Sequence, residues 1–110
     1  MNYDYPQIAL QGIEGLMFVR PDEILYAIAD GNYTHVHLTQ NRQTKVLRQL
    51  KEVEDLLPSE KFIRIHRSHV INLDHVIRLG DNETILMTDG QELTLARDRK
   101  MDFIEKFTRI

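Results

Sequence analysis

Short runs of alternating apolar and polar residues dominate this chain. Gly15–Val19 and Ile24–Ala29 read as strands separated by the turn-forming residues Arg20, Pro21 and Asp22. Tyr33–Leu38 sets Thr34, Val36 and Leu38 on one face and Tyr33, His35 and His37 on the other, the period of two that a half-buried strand shows. Asp30–Gly31–Asn32 leads into it, and Gln43–Leu47 is its expected partner across the polar turn Thr39–Arg42. Further strand patterns fall at Val76–Leu79, Thr84–Thr88 and Glu92–Ala96. Asp89–Gly90 between the last two tolerates the positive φ of a tight hairpin. Two segments carry helical spacing instead. Gln49–Leu57 places Leu50, Val53, Leu56 and Leu57 on one stripe and stops at Pro58. Asp98–Phe107 groups Phe103, Ile104 and Phe107, with Asp98 as the expected N-cap. The pattern predicts a mainly β domain with one internal and one C-terminal helix, and no repeat or linker interrupts it.

One segment departs from simple alternation. Phe62–Leu73, FIRIHRSHVINL, reads as a strand whose Phe62, Ile63, Ile65, Val70 and Ile71 anchor it to a core. Arg64, His66, Arg67, Ser68, His69 and Asn72 are packed into the same span. With alternating faces, Ile63 and Ile65 point one way while Arg64 and His66 point the other. Donors and cations at fixed spacing on an apolar backing suit a polyanion that also offers hydrogen-bonding groups, and nucleic acid fits that description. The same residues also fit a solvated face of an ordinary sheet.

Composition narrows the choices. With 110 residues, 42% hydrophobic and 28% charged, the chain is long enough for one domain with its own core. It has no cysteine, which excludes disulfides, thiolate nucleophiles and zinc–thiolate clusters. MNYDYPQ lacks the basic-then-apolar order of a secretory signal, and no apolar run nears the roughly 20 residues of a membrane span. A cytoplasmic location is the expectation. The net charge of −3 argues against a generally basic nucleic-acid binder. Residues 1–60 hold five Lys/Arg against nine Asp/Glu, giving −4, whereas residues 61–110 hold nine against eight, giving +1. Affinity for phosphate depends on the cations that face it, so local clusters matter more than the total.

Two further constellations stand out. Leu95–Lys100 delivers Arg97 at the end of a strand and puts Arg99 and Lys100 in the first turn of a helix, where they oppose the helix dipole. A bound anion would reverse that opposition, and neutralisation by Asp98 and Asp102 is the other reading. At the Asp30–Thr34 loop, the amide of Asn32 either stabilises the turn or meets a base edge. His35 and His37 share a strand face, so a metal site completed by His66, His69 or His75 is conceivable. No carboxylate sits at a fitting offset and no HExxH motif occurs, so no metal or other cofactor is expected. Ser68 beside His66 and His69 gives no triad geometry, because neighbours on a strand face opposite ways, and no glycine-rich phosphate loop exists. An enzyme is not expected.

These residues together resemble the LytTR family of bacterial DNA-binding domains from about Ile13 to Phe107. The likeness rests on ILYAIADGNYTHVHL at Ile24–Leu38, on LPSEKFIRIHRSHVINLDHV ending at Val76, and on MTDG at Met87–Gly90 followed by LTLARDRKMDF at Leu93–Phe103. The resemblance implies an elongated, antiparallel multi-sheet domain over residues 13–110 behind a lead-in of residues 1–12. It implies a transcription regulator that reads successive grooves of double-stranded DNA with loops. By position, Asn32 and Arg97 would contact bases. His66, Arg67, Ser68, Arg99 and Lys100 would contact backbone or the intervening groove, with Arg64 and Tyr33 in support. Direct-repeat sites, a second copy on DNA and a receiver domain are implied partners. Nothing before Ile8 could form a receiver, which leaves a stand-alone regulator or an excised effector domain. A protein-interaction or ligand-sensing β-domain that lost DNA binding is the competing class.

Overall fold

The computed structural model describes residues 5–110. Among the described residues, ten strands form two antiparallel sheets. The larger contains β1 (Ile8–Gly12), β2 (Gly15–Val19), β3 (Ile24–Asp30), β4 (Tyr33–Leu38), β5 (Arg42–Val46), β6 (Phe62–His66) and β7 (His69–Asn72), in the order β2-β1-β5-β4-β3-β7-β6. The smaller contains β8 (Val76–Leu79), β9 (Thr84–Met87) and β10 (Glu92–Thr94), ordered β10-β9-β8. Helix α1 (Leu50–Leu56) joins β5 to β6, and α2 (Lys100–Ile104) follows β10 through a 3₁₀ turn at Arg97–Arg99. This is the mainly β, antiparallel architecture with two helices that the pattern predicts.

The large sheet is covered on both faces where it matters. One face packs Val19, Ile24, Ala27, Val36, Leu38, Val46, Phe62 and Val70 against Leu50, Val53 and Leu57 of the α1 segment. The other packs Leu25, Tyr26, Ile65 and Ile71 against Ile85, Met87, Leu93, Leu95 and Phe103 from the small sheet and α2. Alternate residues of β3, β6 and β7 therefore serve different cores, which explains their near-continuous apolar runs. A register shift between Ile24 and Tyr26 lets the neighbours Leu25 and Tyr26 both face the second core. Tyr26 fastens the two sheets, donating its hydroxyl to Asp89 at 2.7 Å in the β9–β10 turn and stacking on His37 with ring centroids 4.5 Å apart.

Several elements differ from the pattern. Phe62–Leu73 is a hairpin, not one strand: β6 and β7 pair antiparallel, with Arg67–Ser68 as the turn. The register shifts between Arg64 and His66, so simple alternation fails there. Asn72 is no surface donor. It is fully buried, donates from Nδ2 to the carbonyls of Ile24 (2.9 Å) and Pro21 (3.3 Å), and accepts from the Asp74 N–H (2.9 Å). Ile8–Gly12 is a strand although it falls within the expected lead-in, of which residues 1–4 lie outside the described residues. It forms because β2 gives it a full set of cross-strand partners, from Ile8 opposite Val19 to Gly12 opposite Gly15. Finally, β10 ends at Thr94, and Ala96 rather than Asp98 precedes the 3₁₀ turn. The helix stops at Ile104, with the exposed Phe107 resting edge-on against Phe103 at 5.2 Å.

Replacing Asn72 with leucine removes the side-chain donor from two buried contacts, at the Pro21 and Ile24 carbonyls, and the acceptor of the Asp74 N–H, so stability should fall by about 2–3 kcal/mol in urea unfolding. Burial holds the imidazoles of His37 and His69 below their ordinary value of 6.5. The unfolded chain then binds more protons than the folded one, and stability rises with pH across that range. It is complete above the unfolded value and is lost as pH falls from about 7 through 6.5 toward the lowered folded values. The urea midpoint should be lower at about pH 5.5 than at about pH 7.5, and the double variant His37→Gln/His69→Gln should flatten the difference.

Candidate nucleic-acid interface

Strand register brings three loops to one end of the large sheet. β3 runs out to Asp30 and β4 returns from Tyr33, which leaves Gly31 and Asn32 as a two-residue turn with Gly31 at φ +59°. Position 31 needs that left-handed backbone, which glycine adopts without strain. β7 lies antiparallel to β3 with Ile28 opposite His69, so the Arg67–Ser68 turn arrives at the same end. The Ala29 N–H donates to the Ser68 carbonyl at 2.9 Å and ties the two turns together. Beyond β6, the Ala96 N–H donates to the Ile65 carbonyl at 2.8 Å, so the chain leading to Arg97 passes beside the end of β6. From one hairpin turn to the next is two strand spacings, roughly 10 Å.

The middle turn is held from behind. Arg64 has a side chain only 16% exposed. Its Nη1 pairs with Glu54 of α1 at 2.9 Å, Nε donates to the His66 carbonyl at 2.9 Å, and Nη2 donates to the Arg67 carbonyl. Arg64 thus staples the turn to the helix, and the Arg67 side chain is left in solvent. His66 accepts the Ser68 N–H at Nδ1 (3.1 Å), which puts the neutral ring's proton on Nε2. Its ring stacks on His69 at 4.7 Å, and His69 Nδ1 donates to the Thr94 carbonyl at 3.3 Å. Burial is the main cause of the lowered His69 pKa. The Thr94 bond opposes it, and the His66 charge adds slightly. The stack and the Thr94 bond couple the middle turn to the strand that precedes Arg97.

Charge pairing sorts the candidates. Arg67 and Arg97 are exposed and Arg99 is half-buried, and none of the three makes an ion pair with the described residues. Lys100 is committed to Glu83 at 2.8 Å, which braces α2 on the loop before β9. Tyr33 is 42% exposed and lies under the Lys45 ammonium, which sits 4.6 Å from its ring centroid. Asp30 takes His35 at 2.8 Å and Lys45 at 3.8 Å; the His35 hydrogen bond, then the Lys45 charge, hold its carboxyl below the usual range. The two strand histidines are thus engaged separately, His35 by Asp30 and His37 by Tyr26. Among the described residues no group of three or more His, Asp or Glu gathers as a metal site.

Asn32 has a neighbour that the hydropathy pattern does not reveal. Gln49, the N-cap of α1, donates from Nε2 to Asn32 Oδ1 at 2.9 Å. Helical spacing marks Gln49 as the start of a helix but says nothing about a loop 17 residues earlier. His69 is similarly unmarked for its part in the stack. Only the HxxH spacing within FIRIHRSHVINL hints that two rings meet across a turn.

Comparison with known proteins identifies the family and the fold. Residues 14–108 match the family of LytTr DNA-binding domains. The chain is 30% identical over 95 residues to the sensory transduction protein LytT of Bacillus subtilis, covering 83% of this chain and 39% of that protein. It is 37% identical over 59 residues to the CO-responsive transcriptional regulator RcoM of Rhodospirillum rubrum, covering 54% of this chain and 25% of that one. A solved LytTr DNA-binding domain from Bacillus cereus shares the fold, with a TM-score of 0.77, 24% identity, and coverage of 93% of this chain and 96% of the other. The chain spans about a quarter to two-fifths of the length of these curated relatives. No helix among the described residues is long and apolar enough to cross a membrane. The chain belongs to the family of LytTr DNA-binding domains.

Proposed function

We propose that this domain is the DNA-reading part of a bacterial transcription regulator and that it grips duplex DNA with the sheet end carrying Asn32, Arg67 and Arg97. The observation that carries the proposal is the alignment of three loops at one end of a rigid sheet, two of them bearing arginines without ion-pair partners among the described residues. On this reading the two outer loops address bases and the middle turn meets the backbone between them. Arg97 offers guanine a bidentate fork, and Asn32 meets a polar base edge. Arg67, Ser68 and His66 contact phosphates and the intervening groove and set the register. Arg64 and Tyr33 support the loops from behind. Arg99 adds salt-dependent attraction, and Lys100 contributes part of its charge while held by Glu83.

The work of this domain is binding, not catalysis, with no metal or other cofactor required. In the cell it acts in the cytoplasm on direct-repeat sites that seat two copies. Its relatives are longer than this chain, and a receiver domain is the natural controller of such a reader. The competing class, a β-domain that keeps the fold without binding DNA, predicts an interface that changes little with salt.

Selection of bound duplexes from a random pool should yield a defined motif. Binding to that motif should weaken with salt at a log–log slope of about −3 to −5. Recovery of no motif, together with a flat salt response, would favour the competing class. Arg97→Ala should cost about 1–3 kcal/mol on the selected site and relax preference at one base pair. Arg67→Ala should weaken selected and random duplexes alike and shrink the slope by about 1. Equal losses on both duplexes for Arg97→Ala would remove its base-reading role.

A further inference from the structure

The side-chain amide of an asparagine has two ends of opposite polarity, an oxygen that accepts and an NH2 that donates. At the tip of the β3–β4 turn, the end that faces outward decides which base edges Asn32 can complement. Gln49 takes up one of them. Its Nε2 donates to Asn32 Oδ1 at 2.9 Å, and the Asn32 NH2 makes no hydrogen bond with the described residues. The donor is itself held in place. The Gln49 carbonyl accepts from the Val53 N–H at 3.1 Å, and its own N–H reaches the Glu52 carboxylate at 3.4 Å. One residue earlier, the carbonyl of Arg48 accepts the hydroxyl of buried Thr34, at 2.8 Å, from the strand that follows Asn32. The amide pair therefore joins two segments already tied through the Thr34 hydroxyl.

We infer that Gln49 is a positioning residue that fixes the polarity of the Asn32 amide and thereby helps to set sequence preference. With its oxygen engaged, Asn32 presents donors outward. These complement the acceptors of the major groove, which are guanine O6 and N7, adenine N7 and thymine O4. They are mismatched to the amino group of cytosine. This rests on the reading that Asn32 faces a base. It goes further by naming the class of edge preferred and the residue that imposes the preference. Nothing in helix α1 need touch DNA for this to operate.

Two substitutions separate the chemistry from simple disturbance. Lysine at this position can only donate and glutamate can only accept. Preference at the base pair read by the β3–β4 turn is measured by competition among duplexes that differ at that pair alone. The added charge of either variant shifts affinity for all duplexes together, so the ratio isolates polarity. Gln49→Lys should keep the wild-type preference. Gln49→Glu should draw the Asn32 NH2 inward and turn its oxygen out, which moves the preference roughly tenfold toward donor-bearing edges. Gln49→Ala should flatten it.

A readout without DNA accompanies the binding assay. In Gln49→Glu the side-chain NH2 protons of Asn32, followed by nuclear magnetic resonance, should exchange with water more slowly than in wild type, because they become engaged. Wild-type preference and unchanged exchange in both Gln49→Glu and Gln49→Ala, with folding intact by circular dichroism, would overturn the inference. The underlying reading fails separately. If Asn32→Ala leaves preference unchanged at every base pair, Asn32 reads no base, whatever the Gln49 variants do to the exchange of its amide.

Discussion

Burial of the large sheet on both faces is the constraint from which the other features follow. β3, β6 and β7 each supply side chains to two cores, one closed by the α1 segment and one by the small sheet and α2. A one-residue slip in any of these strands would exchange the two sets and ruin both cores, so the register is firmly specified. The positions of the turns at the sheet end are consequences of that register. Two-sided burial also explains how loops with little apolar content hold their shape, since each is short and leaves strands that cannot shift.

Polar contacts supply the remaining precision, and they do it from the inside. Asn72 ties the end of β7 to the connection entering β3. Arg64 ties the β6–β7 turn to α1 through one guanidinium that satisfies two carbonyls and a carboxylate. Because this pair is half-sheltered, removing Glu54 would leave the guanidinium short of a partner, an effect larger than that of an exposed ion pair. Residues that look alike in the string FIRIHRSHVINL therefore divide sharply in role. Arg64 and Asn72 hold the structure, and the Arg67 side chain is exposed to solvent.

Much of this was legible in the order of residues. The alternation over Gly15–Val19 and Tyr33–Leu38 matches β2 and β4, and the apolar stripe from Leu50 to Leu57 marks α1. The hairpin within Phe62–Leu73 was not, because Arg67 and Ser68 turn the chain without glycine, proline or asparagine, and a bulge disturbs the alternation beside them. Ile8–Gly12 has too few apolar positions to announce a strand alone and exists through its pairing with β2. At the proposed interface, the three loops could be picked out by their donors. Their shared end, the burial of Asn72 and the Gln49–Asn32 contact are facts of tertiary register, invisible to any local window.

The distribution of charge has a kinetic consequence. The chain carries a net charge of −3, and many of its cations are neutralised where they stand, Arg48 by Glu52, Lys51 by Asp55, Lys61 by Asp74 and Lys100 by Glu83. On the proposed reading, a polyanion finds little attraction where cations are paired with carboxylates and more at Arg67 and Arg97. Such a field selects orientation during the encounter itself, before any specific contact forms, and shortens the time the molecule spends stuck to DNA the wrong way round.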